Sequence, residues 1–146
     1  MELEKLKTTV EKLPGFYFEN NKIFGNDKVV FWSKEIKGSS KIEVEHTTKG
    51  KKVVDFSTLF LKCKKEIELP FTFLEVKKFK YGAKTKTVVP ENLFELKKGW
   101  GFMKYQMRYA VEFLGTDDIS VFISEDEKIL KFTNSVGAVI MSVARY

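Results

Sequence analysis

A chain can do acid–base or nucleophilic work only with side chains that titrate or attack near neutral pH, and this sequence offers few. It holds one histidine, His46, and one cysteine, Cys63. His46 ends the run Lys41-Ile-Glu-Val-Glu-His46, in which polar and apolar residues alternate. That alternation is the mark of a strand with one wet face, so His46 reads as a surface imidazole. Cys63 stands beside Lys62, Lys64 and Lys65, whose charges would favour a thiolate. No second cysteine or neighbouring histidine completes a nucleophilic pair, and the thiol reads as structural. Asp117-Asp118 and Glu125-Asp126-Glu127 are the carboxylate clusters with some capacity for a divalent ion. They fall at a helix exit and in a turn, where acids are ordinarily just solvated. The sequence has no histidine and cysteine spacing suited to zinc, no phosphate-cradling glycine loop and no dinucleotide fingerprint. The expectation is a non-enzymatic protein without cofactor or metal.

Lysine is the residue type that stands out. The formal charge is +6, and it is unevenly spread. Residues 1–48 carry eight lysines and eight acids, residues 49–104 carry fourteen lysines against six acids, and residues 105–146 carry four basic and six acidic groups. The basic excess therefore belongs to the middle of the chain. Clustered on one surface it would attract a polyanion by releasing condensed counterions; scattered, it would be a lysine-rich solvated shell. Lys51, Lys52, Lys64, Lys65, Lys77, Lys80, Lys84 and Lys97 are the candidate phosphate contacts. Phe79-Lys80-Tyr81 interleaves rings with charge, so Phe79 and Tyr81 are candidate base-stacking residues for a single strand.

These residues need elements to hold them. Met1 to Leu13 reads as a helix, with Leu3, Leu6, Val10 and Leu13 on one face and Pro14-Gly15 ending it. Strand-like stretches follow at 15–19, 22–25, 28–36 and 41–46, with Lys49-Gly-Lys-Lys52 as a basic turn. Val53 to Leu61 reads as a further strand-like run. Residues 62–100 give a blurred pattern: Pro70 interrupts an alternation, Val88 to Leu93 suggests a short helix after Pro90, and Gly99-Trp-Gly101 suggests a flexible joint.

The clearest pattern lies in the last third. Phe102 to Leu114 has helical spacing, with Met103, Met107, Ala110, Val111 and Leu114 on one face and Phe102, Tyr105, Tyr109 and Phe113 in an aromatic stripe beside it. Gly115 stops it. Ile119–Ile123, Lys128–Phe132 and Ala138–Ala144 then read as three strands joined by two short turns, an antiparallel meander. The last is apolar almost throughout, as suits a strand covered on both faces.

The expected class is α+β: one domain over residues 1–146, an antiparallel sheet with an N-terminal helix and a second helix before a C-terminal three-stranded meander. Fourteen phenylalanines point to an aromatic-rich core. No apolar run approaches the roughly 18 residues of a membrane span, and no basic-then-apolar leader precedes the first helix. Together with the lone cysteine, this leads us to expect a cytoplasmic setting. Abundant Lys and Glu beside a single glutamine, Gln106, is a composition seen in heat-adapted proteins and also in AT-rich genomes.

The order of helix, V-x-I strand, acidic turn, K-x-L-K-F strand, turn and apolar final strand ending in A-R resembles the end of a DNA sliding clamp domain of the proliferating cell nuclear antigen kind. Here it is carried by Met103–Leu114, Ile119–Ile123, Lys128–Phe132 and Val139–Arg145. The resemblance implies two helices packed on a curved antiparallel sheet, presenting basic side chains to a DNA backbone. By position that role falls to Lys104 and Arg108 on the second helix, and to Lys5 and Lys12 on the first. Residues 62–100 have no counterpart in that pattern. The resulting expectation is a nucleic-acid-binding module that contacts phosphates without sequence preference, on DNA or RNA. The alternative is a protein-interaction or self-assembly domain that uses the aromatic helix 102–114.

Overall fold

The computed structural model describes residues 3–13, 17–20, 22–26, 28–33, 41–46, 50–68, 93–97 and 100–145. Helix α1 is Leu3–Glu11. Strands β1 (Phe18–Asn20), β2 (Ile23–Gly25) and β3 (Val29–Trp32) follow, then the hairpin pair β4 (Lys41–His46) and β5 (Gly50–Asp55). Helix α2 is Phe56–Lys62, and β6 is Cys63–Ile67. After β7 (Leu93–Lys97) and β8 (Trp100–Met103) comes helix α3, Lys104–Leu114. The chain closes with β9 (Ser120–Ser124), β10 (Ile129–Thr133), β11 (Ala138–Ser142) and β12 (Ala144–Arg145).

The principal sheet has seven strands in the order β1-β2-β3-β11-β10-β9-β6, and every pairing in it is antiparallel. A three-stranded sheet runs β12-β8-β7, and β4 pairs with β5 alone. The fold is α+β, with the C-terminal meander β9-β10-β11 as the spacing required.

Period-two alternation divides the large sheet into two faces. Phe24, Val29, Phe31, Val121, Ile123, Leu130, Phe132, Val139 and Met141 point to one side and pack with Leu6 and Val10 of α1 and Met107, Ala110, Val111 and Leu114 of α3. Ile23, Val30, Trp32, Ala138 and Ile140 point to the other, where Phe56, Leu59 and Phe60 of α2 cover them. Strands β3 and β11 are buried along both faces, apart from Ser142 at the end of β11. This is why they read as unbroken apolar runs.

Phe102, Tyr109 and Phe113 of the aromatic stripe belong to this core. Phe113 stands edge-on to Phe24 and Phe31, with ring centroids 6.2 and 5.5 Å away. Phe102 is fully buried and meets Phe132 edge-to-face at 5.8 Å. Gln106, the single glutamine, is buried too. It accepts from the Met103 backbone N–H at 3.1 Å and donates to the Lys28 carbonyl at 3.1 Å. It thereby caps the start of α3 and ties it to the approach of β3. At the other end Asn134 donates to the Leu114 carbonyl at 2.8 Å and to the Asp117 carbonyl at 3.1 Å. That satisfies a helix-terminal oxygen with no partner inside the helix.

Three local readings are corrected. The run from Val53 to Leu61 is a strand only as far as Asp55, after which it is helix. Asp55 accepts from the Ser57 N–H at 3.1 Å and from its hydroxyl at 2.6 Å, an N-cap that turns the chain into α2. Trp100–Met103 is a paired strand rather than a joint, so α3 begins at Lys104 instead of Phe102. Gly50–Lys52 lies within β5 rather than in a turn. The helix expected after Pro90 begins outside the described residues.

Candidate nucleic-acid interface

The described part of the basic segment centres on the passage from α2 into β6. The Asp55 cap fixes where α2 starts, and it rolls Phe56, Leu59 and Phe60 onto the sheet. Leu61 and Lys62 are left facing outward; Leu61 is 63% exposed. Cys63 follows as a buried anchor, its thiol 3.6 Å from the Leu59 carbonyl and 3.7 Å from the Ile129 carbonyl. Burial pushes the thiol up to about 11, against the neighbouring charges of Lys131 and Lys62, which favour the thiolate. The lysines around Cys63 therefore do not activate it, because loss of water outweighs their attraction.

Beneath α2, Lys131 projects from β10 onto the same face of the sheet as Ile129. It is only 9% exposed. Its ammonium lies 4.0 Å from the Phe60 ring centroid and 4.6 Å from that of Phe122, and it donates to the Phe60 carbonyl at 3.3 Å. Desolvation holds its pKa below the ordinary lysine range. This cation fastens the last turn of α2 to the sheet. It takes no part in the exposed basic surface.

Strand β6 is the last strand of the seven-stranded sheet, paired with β9 across a bulge between Cys63 and Lys65. Lys64, Lys65 and Glu66 are all exposed. With Lys62, the two lysines help to line an open groove of about 840 Å³. Thr58, Leu61, Ile123 and Ser124 line it too, as do Glu125, Asp126 and Glu127 of the β9–β10 turn. Asp126 is held in place: its carboxylate accepts from the Ser124 hydroxyl at 2.6 Å and the Lys128 N–H at 3.2 Å. Those bonds lower its pKa. Three lysines and three carboxylates thus line the groove, which as a whole carries no surplus positive charge.

The other candidate lysines among the described residues belong to other elements. Lys51 and Lys52 lie on β5, where Lys51 is the cross-strand partner of Glu45 and Lys52 that of Val44. Lys97 ends β7 opposite Trp100. Lys104 opens α3. Arg108 is exposed on α3 and pairs with Glu112, its Nε 3.3 Å from Oε1. Lys5 and Lys12 are exposed on and just beyond α1, the helix that shares a sheet face with α3. Lys77, Lys80, Lys84, Phe79 and Tyr81 lie outside the described residues. Of the named candidates, the described structure brings together only Lys64 and Lys65, with Lys62 added. The exposure of Lys62 follows from the helical state of α2, which puts it on the side away from Phe60. The carboxylates of the groove are not legible, because they come from a turn far along the chain.

Among the described residues no three His, Cys, Asp or Glu side chains converge as a metal site, and no helix is long and apolar enough to cross a membrane. Comparison with protein-family models, curated proteins and solved structures finds no match for this chain.

Proposed function

We propose that this chain is a non-enzymatic nucleic-acid-binding module that holds the phosphate backbone through lysines of its middle segment. The observation that carries the reading is the run Lys62, Lys64 and Lys65, exposed at one edge of the sheet inside a segment with fourteen lysines and six acids. A sheet edge that displays ammonium groups can follow a backbone without reading bases. The carboxylates of residues 125–127 set a limit on it: they repel phosphate within the same groove, so attraction there is modest and strongly screened. A clamp-like version adds Lys5, Lys12, Lys104 and Arg108 of α1 and α3 as further backbone contacts.

The alternative, assembly through the aromatic helix, draws less support. It rests on apolar surface in excess of what one chain covers, and Phe102, Met107, Ala110, Val111 and Leu114 are buried in this chain's own core.

The test is fluorescence anisotropy with labelled single-stranded and duplex DNA and RNA, at about 50 and about 200 mM salt. About three phosphate contacts predict a roughly 40-fold loss of affinity between those salts. Charge reversal at Lys64 and Lys65 should weaken binding, and Glu125→Gln should strengthen it. Binding that is absent at the lower salt, or insensitive to salt, overturns the proposal.

A further inference from the structure

We draw no further inference here: the strongest candidate, the open groove lined by Lys62, Lys64 and Lys65 at the β6 edge and by Glu125, Asp126 and Glu127 of the β9–β10 turn, carries balanced charge and nothing in the structure shows what covers it.

Discussion

Lys131 and Phe60 meet twice, ammonium over ring at 4.0 Å and ammonium to backbone carbonyl at 3.3 Å. The cation gains from both contacts and from the Phe122 ring at 4.6 Å. Burial nonetheless depresses its pKa, so on balance the site favours the neutral amine. Lys131→Met should therefore keep stability within about 1 kcal/mol of wild type at pH 7, because an apolar side chain of similar length removes the desolvation cost along with the contacts. The sign with pH follows from the lowered pKa. The unfolded chain binds the proton more tightly, so the penalty is complete below the folded pKa. It fades as pH rises towards the unfolded value. Urea denaturation should show wild type gaining on Lys131→Met as pH rises above neutral towards the ordinary lysine pKa of about 10.4. A loss of about 3 kcal/mol in the variant at pH 7 would mean that the charge is a net stabiliser.

Cys63 supplies a chemical readout of the same region. With its pKa at about 11, the thiolate fraction at pH 8 is roughly two hundredfold below that of a free cysteine with a pKa of about 8.5. A chromogenic disulfide reagent should modify the native protein slowly, and far faster once urea unfolds it. Rapid labelling of the native chain would contradict the burial of Cys63 beside α2.

Phe113 distinguishes core from surface on α3. Its ring lies against Phe24 and Phe31, so Phe113→Ala should cost about 2–4 kcal/mol. Arg108→Ala, on the exposed side with its Glu112 pair, should change stability by less than about 1 kcal/mol. Chemical denaturation of both variants checks the contrast. A Phe113→Ala protein of unchanged stability but altered oligomeric state would restore the assembly reading.

Two glycines should respond differently to alanine. A Cβ on Gly137 would fall 1.9 Å from the Trp32 carbonyl oxygen, backbone that cannot swing aside. Gly137→Ala should cost more than about 3 kcal/mol or prevent folding, through strain where β3 meets β11. Gly115 has φ +82°, and a methyl group added there would meet nothing within 4 Å. Gly115→Ala should cost only the conformational strain, about 1–3 kcal/mol. Thermal melts of the two proteins give the order.

The parts of the fold legible from sequence are those whose periodicity is local. Leu6 and Val10 mark α1, Leu130 and Phe132 mark one side of β10, and the apolar stretch from Ala138 marks a strand covered on both faces. Helix α2 is mistaken for a strand because Phe56 and Phe60 suit either state, and only the Asp55–Ser57 cap decides between them. Strand β8 is hidden by glycines on either side of Trp100. For the candidate interface, lysine exposure at β6 can be read from its polar run. The acids that share its groove, the burial of Lys131 and the raised pKa of Cys63 all depend on partners distant in the chain, which no local pattern encodes.

The seam between β3 and β11 joins Val29 to Met141 and Trp32 to Ala138, residues far apart along the chain. Closing so long a loop is entropically expensive and rewarded late. During synthesis β2 and β3 emerge long before β11, so the middle of the sheet has to wait until β11 has left the ribosome. The nascent chain must therefore keep Val29, Phe31 and Trp32 from pairing elsewhere until then, a stage at which it is most exposed to aggregation.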